Sequence, residues 1–293
     1  LLLRLAQGLI GSAATVTVPA MIRDCYGKDT AKGMSTVMII MLVAPLVAPL
    51  IGSTLLSLWT WESLFGFQLV YAGVLLVIVR RLLPETLPAN ATRTTQSPLN
   101  NYRIIFSNRR IYWDLPTYVL LALSFFTFLT AVSFIYITWF GVSETLFGYL
   151  FASSAGALII SNLTNRRLVS RVGPRRMLQR ALAAALVPAT LLLAGTLLQM
   201  GLVMTVISFF MLVGCLGVAW VNADALVLIE FPHHAGSASA VIGTMRFGVG
   251  ALAGPILAWI DTGTPVPVMV LIFGLLGTAA AVQLLRHWCV KEQ

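Results

Sequence analysis

The sequence predicts an all-α integral membrane protein, on the evidence of its composition and of the lengths of its apolar runs. Of its 293 residues, 58% are hydrophobic and only 10% are charged, and the mean hydropathy is +0.90. A soluble domain carries about 25% charged residues. Runs of about 20 apolar residues, the length that crosses a bilayer as a helix, recur along the whole chain. We predict nine transmembrane helices, at residues 1–22, 34–57, 64–83, 113–137, 146–164, 178–199, 202–223, 236–260 and 267–286.

Basic residues are concentrated at alternate ends of these spans. Seventeen of the 19 Lys and Arg residues lie near the ends of the first, third and fifth spans, in the loops that follow them, or at the C-terminus. The intervening loops LWTWES, TWFGVSET and DTGTPVP contain none. Because cytoplasmic loops carry an excess of Lys and Arg, we predict that the basic loops and the C-terminus are cytoplasmic. Basic residues that face the cytoplasm thus account for the net charge of +9, and we expect no nucleic-acid partner.

The longest polar stretch divides the chain into two parts. Residues 84–111 are rich in Pro, Thr and Asn, which is typical of a linker, here a cytoplasmic one. Residues 1–83 contain three spans and residues 112–293 contain six. A weak repeat, APLIG at 48–52 and GPILA at 254–258, favours two parallel halves. We therefore expect an N-terminally truncated chain that contains helices 4–12 of a twelve-helix, 6 + 6 architecture.

Six segments, in order along the chain, look like the motifs of one family of transporters. They are RLAQGLIGSA (4–13), AMIRDCY (20–26), APLVAPLIGS (44–53), LPET (83–86), NRRLVSRVGPRRM (165–177) and FPHHAGSASAVIGTM (231–245). Together they resemble the motifs of the major facilitator superfamily, and more narrowly of its bicyclomycin-resistance type of drug:proton antiporter. Two departures concern Ala48, where the family commonly has Gly, and Arg246, where it more often has Gln.

This resemblance implies a major facilitator fold in the bacterial inner (plasma) membrane. It implies a secondary active transporter that exports drugs or other small molecules in exchange for protons, by alternating access. The expected partners are apolar or cationic drugs, protons and membrane lipid, and we expect a monomer with no cofactor. The sequence has no phosphate-binding loop, metal cluster or nucleophile–base pair, so we expect no enzymatic activity. Two alternatives stay open: a facilitator-type exporter of a sugar or an amino acid, and a non-transporting membrane subunit.

Two prolines four residues apart mark the second span. Pro45 and Pro49 share one helical face with Gly52, and each leaves a carbonyl one turn earlier without its usual donor. The segment resembles the family's antiporter motif, which favours a hinge or a tight seal between the two halves. Static packing is the alternative, because membrane helices tolerate proline.

Charged residues inside the spans are the candidates for transport. Arg4 shares a face with Gly8 and, with Gln7, resembles the R-x-x-Q-G motif; the alternative is that Arg4 reaches the outer interface. Arg246 lies near the middle of its span and needs a counter-ion. Asp224 is one candidate partner and an acid in the missing helices is another; Asp224 could instead be an interfacial residue.

The loop after the fifth span is basic and contains a glycine. By its resemblance to the loop between helices eight and nine, we predict a cytoplasmic gate loop formed by Arg167, Arg171, Gly173 and Arg175. The pair His233 and His234 lies in another cytoplasmic turn, either as a pH sensor or as ordinary surface histidines.

Overall fold

The computed structural model describes residues 2–26, 30–83, 107, 111–231 and 235–291, without the side chains at some of these positions. Most of the described residues are helical, and the chain divides into two compact units, Leu1–Thr95 and Gln96–Gln293. The predicted linker, 84–111, lies outside the described residues apart from positions 107 and 111. Its boundaries therefore stay a prediction.

The first unit contains three helices. They are α1 (Leu2–Tyr26), α2 (Thr30–Leu58) and α3 (Glu62–Leu82). Helix α2 packs against both of the others. It continues as one helix through both Pro45 and Pro49.

The second unit is a larger bundle with a continuous apolar core. Its core includes Tyr118, Phe128, Phe209 and Leu276, each at most 2% exposed. The helices are α4 (Ile111–Ser133, continued by a π-helical turn, Phe134–Trp139), α5 (Glu144–Val172), α6 (Pro174–Leu197), α7 (Gly201–Glu230), α8 (Ala235–Gly250), α9 (Ala253–Ile260) and α10 (Val266–Lys291).

The predicted all-α membrane fold is confirmed. Helices occupy all nine predicted spans in the described part of the chain. Seven helical segments among the described residues are long and apolar enough to cross a bilayer. Each such segment satisfies its own backbone hydrogen bonds, as the hydrocarbon interior requires.

One predicted span is divided in the structure. Residues 236–260 form two helices, because α8 ends at Gly250 and α9 begins at Ala253. Pro255 lies in the first turn of α9 and lacks the N–H that a continuous helix would bond to the carbonyl of Ala251. Hydropathy alone did not indicate this break, since the apolar run continues across it.

Candidate functional site

An ion pair joins two membrane-spanning helices of the second unit. The Nη2 atom of Arg246, on α8, lies 2.7 Å from Oδ2 of Asp224, on α7. The two side chains are 27% and 30% exposed, so the pair is neither sealed in the core nor fully in solvent. Asp224 is thus the partner of Arg246 in the described structure. It was one of the two candidate partners that the sequence suggested.

Two aromatic side chains complete the surroundings of Arg246. Its Nε donates to the Tyr118 hydroxyl oxygen at 2.8 Å, and Trp220 Nε1 donates to the same oxygen at 3.0 Å. The guanidinium carbon also lies 4.3 Å from the centroid of the Trp220 ring. Arg246 is therefore held by a carboxylate, a hydroxyl and an aromatic face, all of which attract a cation. We call Tyr118, Trp220, Asp224 and Arg246 the arginine cluster.

The carboxylate of the arginine cluster keeps an unused acceptor. Asp224 Oδ1 is buried and has no hydrogen-bond partner among the described residues. An ionised carboxylate has acceptor sites on both oxygens, and only Oδ2 is engaged by Arg246. The site is therefore able to accept a further proton or hydrogen-bond donor.

A second cluster surrounds Asp114 in the first turn of α4. Arg175 binds both carboxylate oxygens, with Nη1–Oδ1 at 3.0 Å and Nη2–Oδ2 at 3.2 Å. Arg286, on α10, donates to Oδ1 as well. Gln283 donates to Thr117 Oγ1 at 2.9 Å. These contacts, which we call the aspartate cluster, connect α4, α6 and α10 around one carboxylate that is 13% exposed.

The turn between α5 and α6 positions one arginine of the aspartate cluster. Gly173 adopts φ +85°, a backbone conformation that favours glycine, and Pro174 follows as the first residue of α6. Arg175 comes next and reaches Asp114. Of the predicted gate loop, Arg167 and Arg171 are exposed, and no described residue forms a hydrogen bond or ion pair with either.

The candidate residues of the first unit stay predictions. The side chains of Arg4 and Pro45 lie outside the described residues, as do His233 and His234 in the second unit. Gln7 is exposed and Pro49 is half-buried. A Cβ built at Gly8 or Gly52 meets no described atom within 4 Å.

Sequence reasoning missed Tyr118, Trp220, Asp114 and Arg286. A usable signal existed, because Asp114 and Tyr118 are four residues apart, as are Trp220 and Asp224. Residues at this spacing lie on one helical face. A search for polar or aromatic residues one turn from each acid would have listed both pairs, but not their partners on other helices.

Comparisons with known proteins agree with the motifs. The sequence model of the Major Facilitator Superfamily matches residues 1–255. The bicyclomycin resistance protein homolog of Haemophilus influenzae is 32% identical over 91% of this chain and 68% of its own length. The uncharacterized MFS-type transporter YdgK of Bacillus subtilis is 27% identical over 92% of this chain and 68% of its own length. The multidrug resistance protein MdtM of Escherichia coli K12 is 27% identical over 68% of this chain and 49% of its own length.

A solved structure has a similar fold. It is a bacterial homologue of the iron transporter ferroportin in the inward-facing state, with a TM-score of 0.60 and 17% sequence identity. The match covers 88% of this chain, which spans 63% of that structure. At this identity the likeness concerns the fold alone. From the sequence matches and the helical fold together, the chain belongs to the Major Facilitator Superfamily, as a multi-pass membrane protein of the bicyclomycin-resistance type.

Proposed function

We propose that the protein is a secondary active transporter that exports apolar cationic drugs in exchange for protons, by alternating access. The observation that carries this proposal is the arginine cluster, a partly exposed carboxylate and aromatic face within membrane-spanning helices. Charged groups in such helices are costly and typically serve transport. The relatives named for bicyclomycin and multidrug resistance support drugs over sugars or amino acids as substrates.

The arginine cluster is chemically suited to a cation. Asp224 and Trp220 already hold a guanidinium group, so a cationic drug that displaces it meets the same charge and ring face. Phe125 extends the aromatic surface, with its ring centroid 5.1 Å from that of Trp220. An apolar organic cation gains from both contacts, because it combines a positive charge with apolar surface.

The same carboxylate provides a physical basis for exchange. With Asp224 ionised, its charge balances that of Arg246 and the cluster is neutral. With Asp224 protonated, the cluster carries one positive charge and repels a cationic drug. A proton and the drug therefore compete for one carboxylate, which is the requirement for coupled exchange. The charged groups of the aspartate cluster, Asp114, Arg175 and Arg286, are engaged with one another.

Binding of tetraphenylphosphonium, an apolar organic cation, to the purified chain tests this proposal. We expect Asp224→Asn to weaken binding about tenfold or more, which corresponds to about 1.4 kcal/mol. Glu144→Gln is the matched control, since Glu144 is an exposed acid outside the cluster, and it should leave binding unchanged. Equal binding by wild type and Asp224→Asn would overturn the assignment. Binding of a sugar or an amino acid in place of the cation would indicate the metabolite exporter.

We further propose an orientation in which the basic loops and the C-terminus face the cytoplasm, and a monomeric transporter. The distribution of Lys and Arg supports the orientation.

A further inference from the structure

An apolar groove lies on the second unit, and no residue of the arginine cluster is among those that line it. It has a volume of about 460 Å³ and is lined by residues of α5, α6 and α7. Two of its polar lining residues bond within their own helix: Ser161 Oγ donates to the Leu158 carbonyl and Thr164 Oγ1 to the Ile160 carbonyl. Apart from Arg180, the lining therefore offers a ligand little except apolar surface.

The groove is open, and its length matches one leaflet of a bilayer. Ile160 and Met211, which line it, are 59% and 43% exposed. Along α5 the lining runs from Ala157 to Leu168. At 1.5 Å per residue this is about 16 Å, about half of the roughly 30 Å hydrocarbon thickness of a membrane. A single acyl chain has this extent.

The polar end of the groove is positively charged. Arg180 lines it, and Arg176 precedes Arg180 by one helical turn on the same face of α6. Arg171 follows Leu168 by three residues on α5. All three arginines are exposed, and none has a hydrogen bond or ion pair with a described residue. The one acid of α5 and α6, Glu144, lies at the opposite end of α5.

We propose that this groove binds an anionic phospholipid, with one acyl chain along the apolar wall and the phosphate on Arg180. Arginine binds phosphate through two parallel N–H donors, and basic pockets between membrane helices recognise anionic headgroups. The three arginines repel a cationic drug. A peptide segment would leave its backbone groups without partners against the apolar wall. Free phosphate has no apolar part that could occupy the groove.

Native mass spectrometry of the purified chain tests the proposal, with dioleoylphosphatidylglycerol as the probe. Dioleoylphosphatidylcholine, with the same chains and a zwitterionic headgroup, tests the headgroup charge, and inorganic phosphate tests the need for the chains. We expect phosphatidylglycerol to bind and the other two probes to bind at least about fivefold more weakly, the effect of one basic residue near a membrane surface. Arg180→Gln should weaken phosphatidylglycerol binding by about the same factor.

Two matched controls separate this site from general surface binding. Arg80→Gln removes an exposed arginine at the end of α3 and should leave binding unchanged. Ala184→Phe fills the groove and should reduce binding, whereas Ala183→Phe, one residue away and outside the groove, should not. Equal losses in Arg180→Gln and Arg80→Gln would contradict the proposal. So would equal affinity for the two phospholipids, binding of free phosphate alone, or unchanged binding in Ala184→Phe.

Discussion

Asp114 and Tyr118 lie one turn apart on α4, and each is the centre of a separate polar cluster. Asp114 accepts from two arginines, and Tyr118 accepts from Arg246 and Trp220. One helical face thus supports both clusters. The aspartate cluster connects α4 to α6 and α10, while the arginine cluster connects α4 to α7 and α8. Helix α4 therefore carries a residue of each cluster and contacts four other helices through them.

Removing the shared carboxylate of the aspartate cluster should be more damaging than removing either arginine. Asp114→Asn leaves Arg175 and Arg286 close together without a counter-ion, and we expect a loss of about 3 kcal/mol in stability. Arg286→Gln should cost more than Arg175→Gln, because the two arginine side chains are 10% and 35% exposed. Thermal unfolding of the three detergent-purified variants ranks their losses of stability. A smaller loss for Asp114→Asn than for both arginine variants would contradict this account of the cluster.

The ion pair of the arginine cluster should appear as a coupling between two substitutions. Arg246→Gln and Asp224→Asn should each lower stability by about 1–2 kcal/mol, between the values for exposed and buried pairs. The double variant should be no less stable than the worse single variant, because neither charge is then left alone. The melting temperatures of the wild type, the two single variants and the double variant measure this double-mutant cycle. Strictly additive losses would show that the two residues do not interact.

Close approach of α4 and α8 depends on a glycine. A Cβ at Gly250 would lie 2.5–2.7 Å from ring atoms of Phe126, closer than atoms pack. We expect Gly250→Ala to cost about 1–3 kcal/mol, the usual penalty for overpacking. Gly243→Ala, on the same helix with no described atom within 4 Å of the added Cβ, is the control. It should be neutral or stabilising by up to about 1 kcal/mol. Similar melting temperatures for the two variants would argue against a close contact at Gly250.

The proposed orientation is testable by cysteine labelling. In a chain with its own cysteines replaced, Thr94→Cys lies in the predicted cytoplasmic linker and Thr262→Cys in an acidic loop on the other side. A membrane-impermeant thiol reagent added outside intact cells should label only Thr262→Cys. Permeabilised cells, in which both should react, provide the control. Labelling of Thr94→Cys in intact cells would invert the topology.

Much of the fold was predictable because few backbone structures are stable inside a bilayer. Each span needs about 20 apolar residues, so apolar runs locate the helices directly. Because a charge inside the bilayer is costly, Arg246 was expected to have a counter-ion. Asp224, one of the two candidates, is its partner in the structure.

The aspartate cluster was not predictable in this way. Asp114 lies 61 residues from Arg175 and 172 from Arg286, and nothing local in the sequence connects them. Charged residues near the ends of spans also face water in many membrane proteins, so their presence there indicates no particular contact. Tyr118 was missed because a tyrosine within an apolar run resembles any other core aromatic residue. Its role depends on which helices the fold brings together.

The most direct test of the central claim is proton release on substrate binding. Tetraphenylphosphonium is added to the purified, weakly buffered chain with a pH-sensitive dye, from acidic to neutral pH. All three histidines are replaced by glutamine to remove other groups that titrate there. If drug and proton compete for Asp224, binding weakens as the pH falls and releases protons, and Asp224→Asn shows neither effect. Binding that is independent of pH and releases no proton, or proton release that persists in Asp224→Asn, would contradict the claim that this carboxylate couples export to proton exchange.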